Sequence, residues 1–154
     1  MDYIESMRLI IQRVTRASLT VNNKIISKIN NGLVVFIGIT HSDTVLNIPA
    51  IANKTINLRL FNDENNKMNL SLLDISGDLL IVSQFTLHAN FKKGNRPSFL
   101  NSASSEHAKK IYNEFVNYMN NKLNKVQTGI FGAHMAIELI NDGPVTFILD
   151  SNEK

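Results

Sequence analysis

The sequence predicts an α+β fold, a sheet or barrel in one domain with two main helices. Three observations predict it. Several runs of strand length are rich in β-branched and other apolar residues. Only two segments carry the 3.6-residue spacing of an amphipathic helix. The strands come in groups rather than in regular strand–helix alternation, which disfavours a parallel α/β sheet.

Arg8–Val14 reads as a first strand, and Ala17, Leu19 and Val21 alternate with polar residues as a half-buried second. Asn22-Asn23 turns the chain into Lys24–Ile29, and Asn31-Gly32 turns it again into Leu33–Ile39. The expected opening is therefore an antiparallel meander, its last strand apolar enough to be buried on both faces. Ser42 or Asp43 can cap a helix with Pro49 in its early turns and Ile48, Ile51, Ala52, Thr55, Ile56 and Arg59 along one side. Phe61–Lys67 reads as a polar loop and Met68–Leu72 as a short edge strand. Gly77-Asp78 leads into a core strand over Leu79–Phe85. His88–Ser105 is irregular, and long loops in compact domains are often functional. Ser104 or Ser105 starts the second helix, with Ala108, Ile111, Tyr112, Phe115, Tyr118, Met119 and Leu123 as its apolar stripe. Ala136–Ile140 and Val145–Leu149 are the last two strands, hinged at Gly143-Pro144.

A chain of 154 residues fits one ordinary domain. Its expected organisation is a small N-terminal extension over 1–6, a folded domain over 7–150 and a tail over 151–154. No run approaches the roughly 18 apolar residues of a membrane span. The acidic start, with Asp2 and Glu5, is unlike a signal peptide. There is no cysteine, which removes disulfides, thiolate nucleophiles and Cys-ligated metals. A cytoplasmic location without membrane contact is expected. A net charge of +3 permits a polyanionic partner without requiring one.

The chemistry-bearing candidates lie in two distant segments. Ser83-Gln84-Phe85-Thr86 ends a buried strand in polar groups. These hydroxyls either satisfy nearby backbone groups or support a site where main-chain N–H groups hold an oxyanion. No base is fixed beside Ser83 or Thr86 by local spacing, although His88 is near in sequence. Asn141-Asp142-Gly143-Pro144-Val145-Thr146 is either a plain turn or a rigid loop with outward carbonyls. His41, His88, His107 and His134 lack metal-ligand spacing and read as surface or structural residues; no metal and no cofactor is expected. Gly129-Ile130-Phe131-Gly132 lacks the Lys and Ser/Thr of a phosphate loop. Lys92, Lys93 and Arg96 form a basic loop, either solvated or in contact with phosphate.

Taken together, Met7–Val14, Ser83-Gln84-Phe85-Thr86-Leu87, Gly94–Phe99, Gly129–Met135 and Asn141–Thr146 resemble the D-aminoacyl-tRNA deacylase family, also called D-tyrosyl-tRNA deacylases. The resemblance covers about residues 7 to 149 and rests on two motifs, Ser-Gln-x-Thr-Leu and Asn-x-Gly-Pro-x-Thr, in this order. It implies a β-barrel-like homodimer that hydrolyses the ester between a D-amino acid and the 3′ end of tRNA. In the family the Gly-Pro peptide is cis and reaches into the partner subunit's site, which puts Gly143 and Pro144 in the role of excluding L-amino acids. Glycyl-tRNA mischarged on tRNA-Ala would also be admitted. Ser83, Gln84, Phe85 and Thr86 would line the aminoacyl end, Arg13 would orient the Gly-Pro loop, and Phe131 and Met135 would contact the terminal adenine. The resemblance favours chemistry driven by water or the ribose 2′-hydroxyl over attack by Thr86. Ser83 and Asn141-Asp142 are similar to the D-specific branch rather than to the related L-alanine-clearing deacylases. The C-terminal extension of a DNA-replication-associated relative is not matched, which makes duplex-DNA binding the weaker expectation. The competing readings are a non-catalytic nucleic-acid-binding dimer and a purely structural dimer.

Overall fold

The computed structural model describes residues 5–152. Its centre is β1 (Arg8–Val21), a single strand where two were expected. Thr15 and Arg16 are polar and exposed, yet the strand runs through them, because Arg16 pairs with Ile140 while Thr15 sits at an irregularity of that ladder. On one edge lie first β3 (Gly32–Gly38) and then β2 (Lys24–Ile29), both antiparallel to β1. The opening is therefore not a meander: β3 pairs with β1 rather than with β2. The tight turn at Asn22-Asn23, both at positive φ, closes the β1–β2 hairpin. The Asn30-Asn31 link then carries the chain back along the same edge of β1.

The sheet continues through β6 (Asp78–Ser83), parallel to β3, and β7 (Val126–Thr128), parallel to β6. The hydroxyl of Ser27 on β2 donates to the Thr128 carbonyl on β7, drawing the two ends of the sheet together into a nearly closed barrel. β7 was not foreseen, since three residues carry no usable periodicity. The period of two along β3 and β6 sorts their side chains between two cores. Val34, Leu80 and Val82 turn into the barrel with Val14, Ala17, Leu19 and Ile29. Leu33, Val35, Ile37, Leu79 and Ile81 turn outward beneath the helices.

Two main helices cover that outer face. α1 (Ile48–Asn57) buries Ile48, Ile51, Ala52, Thr55 and Ile56, and Arg59 lies beyond its end. Its expected caps are corrected. Thr44 caps a preceding 3-10 turn, Val45–Asn47, in a reciprocal capping box with Asn47. Asp43 is buried and instead accepts from the backbone N–H of Met7 at 3.0 Å and of Thr40 at 2.8 Å. The expected polar loop after α1 contains half of a small hairpin, β4 (Phe61–Asn62) with β5 (Met68–Leu70). It is followed by one helical turn, α2 (Leu72–Ile75), capped by Ser71. The last main helix, α3 (Ser105–Lys122), starts from Ser104, whose hydroxyl accepts from the His107 N–H. It buries Ala108, Ile111, Tyr112, Phe115 and Met119.

The final strand, β8 (Ala136–Asp150), runs beside β1 over nearly its whole length, where two strands were expected. The ladder pairs Gln12 with Thr146 but Val14 with Asn141, so the intervening residues bulge out of it. The Gly143–Pro144 peptide inside that bulge is cis. β8 pairs only with β1 among the described residues, and its exposed side chains include Ile140, Phe147 and Ile148.

Of the expected extension, residues 1–4 lie outside the described residues. Glu5 approaches His88, and Ser6 is buried, accepting from the Asn152 N–H at 3.3 Å. Residues 153–154 of the expected tail also lie outside, while the Ser151 N–H donates to the Met7 carbonyl at 2.9 Å. Among the described residues no helix is long and apolar enough to cross a membrane.

Candidate functional site

The parallel strands β3 and β6 end at the same place, and a cavity opens there. Its volume is about 530 Å³, ordinary for a small-molecule site. Val82, Ser83, Gln84 and Phe85 form one wall. The strand expected to continue to Phe85 stops at Ser83, and residues Phe85–His88 wind into a 3-10 turn instead. The Gln84 N–H donates to the Ile37 carbonyl at 2.8 Å, which anchors that corner to β3. The N–H groups of Phe85 and Thr86 open the turn, before any intrahelical acceptor exists for them.

Phe131, Gly132, Ala133, His134 and Met135 form the facing wall, delivered by the segment that leads into β8. Gly129 permits this approach, because a Cβ there would fall on the Met135 sulfur. Gly132 sits at φ +78, where a side chain would be strained. The Phe131 ring tilts against Tyr112 at 5.8 Å. Tyr112 donates to the Ile81 carbonyl at 2.9 Å, and burial pushes its phenol up to about 12.

A third wall went unnoticed in the sequence. Phe99, Ser102 and Ala103 come from the irregular loop, and Ser105 and Ala108 from the first turns of α3. Phe99 meets Phe85 edge-on at 5.0 Å, and the Ser102 hydroxyl donates to the Phe85 carbonyl at 2.9 Å. Phe99 ends one of the family-like segments, but nothing local marked Ser102. Its role depends on a carbonyl 17 residues away.

Thr86 is exposed and lies beyond the cavity lining. Its hydroxyl takes a hydrogen bond from Gln84 Nε2, and among the described residues no imidazole or carboxylate reaches it. His88, near in sequence, is turned inward and buried, with Nδ1 at 3.4 Å from Glu5 Oε2. His107 bonds the Asp43 carbonyl at 2.7 Å, and His41 bonds the Leu100 carbonyl at 2.8 Å. Among the described residues no three His, Asp or Glu side chains cluster as metal ligands.

Gly143 and Pro144 are exposed and do not line the cavity of their own chain. Their loop is braced from beneath. Arg13 is buried, with its guanidinium Nη1 donating to the Leu60 carbonyl at 2.6 Å and its Nε at 3.1 Å from Asp142 Oδ2. Asn141 Nδ2 donates to the Arg13 and Val145 carbonyls at 3.0 and 3.1 Å, closing the neck of the bulge. In the sequence Asn141 and Asp142 stand out only as members of the motif; their bracing contacts needed the fold.

A cavity of strand-end hydroxyls, open backbone N–H groups and aromatic walls is the kind of site that binds and polarises an acyl group with main-chain donors. The chain is thus an α+β barrel of the hydrolase kind. It belongs to the D-Tyr-tRNA(Tyr) deacylase family, whose profile matches residues 10–150. It is 56% identical over 147 residues to the D-aminoacyl-tRNA deacylase of Thermosipho africanus, covering 96% of this chain and 99% of that one. It is 51% identical over 147 residues to the corresponding protein of Dictyoglomus turgidum, covering 96% and 94%. Among solved structures it is similar to a c-Myc DNA unwinding element binding protein, with TM-score 0.88, 39% identity and coverage of 93% and 97%. A probable eukaryotic D-amino acid tRNA deacylase shares the fold at TM-score 0.85 and 18% identity, covering 94% and 99%.

Proposed function

We propose that this protein hydrolyses the ester linking a D-amino acid to the terminal adenosine of tRNA, and rejects the L-ester. The observation that carries the reading is the convergence of Ser83-Gln84-Phe85 with Phe131 and Met135 in one cavity. Phe131 and Met135 are suited to pack on an adenine, since single-stranded RNA ends are held by stacking. The aminoacyl ester then lies at the Ser83–Phe85 corner. Water adds to the ester carbonyl, and the negative oxygen of the tetrahedral intermediate is met by the Phe85 and Thr86 N–H groups. The bond to the ribose 3′-oxygen breaks, that oxygen takes a proton, and free tRNA and D-amino acid leave. The adjacent 2′-hydroxyl assists the attack, and the protein supplies positioning. The lack of a base at Thr86 supports this division of labour.

In this reading the enzyme works as a cytoplasmic homodimer, and Gly143–Pro144 enters the cavity of the partner subunit. Their carbonyls crowd the α-carbon on the side an L-side chain needs, so selectivity comes from exclusion. A glycyl ester, lacking a side chain, passes. Supporting it are the exposure of the loop, its bracing by Arg13 and Asn141, and the outer edge of β8, unpaired among the described residues, with Ile140, Phe147 and Ile148 exposed.

The deciding experiment is deacylation of matched D-Tyr-tRNA and L-Tyr-tRNA, with a chelator in a parallel tube. Release from the D-ester alone, unchanged by chelator, is expected. No release above background would favour a non-catalytic nucleic-acid-binding dimer, the reading that the name of the 39%-identical neighbour invites. Pro144→Ala is expected to lose activity or selectivity while the chain stays folded; unchanged activity and selectivity would sink its assigned role. Thr86→Ala is expected to stay within about tenfold of the parent. A loss of about a thousandfold or more would make Thr86 the nucleophile instead.

A further inference from the structure

The basic loop visible in the sequence is not used by the cavity, and its placement gives it a purpose. Three of the five residues Lys92–Arg96 are cationic, and all three are exposed. None forms an ion pair among the described residues. No Asp or Glu occurs between Asp78 and Glu106. A chain whose net charge is only +3 has therefore collected a local positive field on one loop.

The loop is a formed structure. Asn90 and Ser98 exchange two backbone hydrogen bonds of 2.9 Å at its base. The Lys92 N–H donates to Asn90 Oδ1 at 3.4 Å, and Gly94 at φ +123 makes a turn that a side chain would strain. The segment leaving this base passes at once into the cavity wall through Phe99 and Ser102, which hold Phe85. The basic loop thus springs from the same segment that supplies Phe99 and Ser102 to the cavity wall, and exposed Phe91 precedes its first cation.

We propose that Lys92, Lys93 and Arg96 are a phosphate-binding rim for the RNA strand that enters the cavity. This rests on the reading of a tRNA ester as substrate. A cavity of about 530 Å³ suits a small-molecule group such as the terminal nucleoside with its amino acid, not a helical stem. The rest of the acceptor end crosses the rim, and its backbone is the polyanion that an unpaired basic loop attracts. Arg96 can grip a phosphate with two N–H groups, and the lysines act as point charges. Such interactions position the strand without reading its sequence.

The test compares the parent with a Lys92→Gln/Lys93→Gln/Arg96→Gln variant and a Lys92→Arg/Lys93→Arg variant. Three readouts are taken: binding of uncharged tRNA across a KCl series, hydrolysis of D-Tyr-tRNA, and hydrolysis of 3′-O-D-tyrosyl-adenosine. The Gln variant should bind tRNA about tenfold more weakly, with a salt slope lower by about one for each phosphate it no longer neutralises. It should hydrolyse the short ester at the parental rate, and the Arg variant should match the parent throughout. Unchanged tRNA affinity and slope would overturn the rim. So would an equal loss on the short ester, because the loop would then be shaping the cavity. If the parent hydrolyses neither ester, the esterase reading fails separately, and the uncharged-tRNA titration still decides the rim.

Discussion

The Ser83–Phe85 corner continues a buried strand, whereas the Asp142–Pro144 loop is exposed and braced by polar groups. The corner is the end of β6, whose Leu79, Leu80, Ile81 and Val82 are almost completely buried, so packing carries it up to the two hydrogen bonds at Gln84 and Phe85. The loop is exposed, and polar groups brace it through Arg13 and Asn141. Packing is not screened by salt but demands volume. Polar bracing leaves a surface free to meet something else. A site made of one half of each kind can bury its reacting end and still present a loop to a second subunit.

That contrast sets out a graded series of expected effects. The largest belongs to the packed half. Phe115 is fully buried on α3, the helix that also brings Ser105 and Ala108 to the cavity. Phe115→Ala should cost about 3–5 kcal/mol in denaturant unfolding. A loss below about 1 kcal/mol would mean the cavity does not depend on that core.

Tyr112 comes next and can be read through pH. Its folded value of about 12 lies above the ordinary 10.0, because burial disfavours the anion. A raised folded value means stability that is complete below pH 10 and is lost as pH rises toward 12, since the unfolded chain ionises first. The loss is on the order of 2–3 kcal/mol. Tyr112→Phe should cost about 1 kcal/mol at neutral pH through the lost hydrogen bond, and should flatten the alkaline decline. An equally steep decline in the variant would assign it to other groups.

For the braced half, Arg13→Met should destabilise by about 1–3 kcal/mol, because the Leu60 carbonyl loses its donor. Amide exchange should rise at Asn141–Val145 and stay unchanged at Ser83–Phe85; a rise at both would erase the distinction. The smallest effect is Asp142→Asn. The carboxylate is half exposed and Arg13 keeps its other partners, so the change should stay below about 1 kcal/mol and shrink with salt. A larger loss would make this ion pair the main support of the loop.

Much of this was legible in residue order. The apolar runs of β3 and β6, the stripes of α1 and α3, a serine cap at Ser104 or Ser105 and the turn at Asn22-Asn23 follow from periodicity and backbone preference, which act over a few residues. The two motifs and the basic loop could also be picked out as side-chain types in a row. The partners of these segments could not. That β3 lies against β1, that β6 runs parallel to it, and that β8 is one strand with a bulge depend on long-range hydrogen bonding, on which local pattern is silent. Asp43 looked like a helix cap and became a buried acceptor for Met7 and Thr40. Arg13 is one strand residue among several by local pattern, and only the resemblance ties it to the Gly-Pro loop; its contacts link Leu60 with Asp142. The sequence by itself determined the buried runs of β3 and β6, the two main helices and the Asn22-Asn23 turn, because those choices are made by neighbouring atoms. The tertiary structure decided that Ser83, Phe131 and Ser102 share a cavity and that Pro144 stands outside it, because such placements arise only when distant backbones pair and pack.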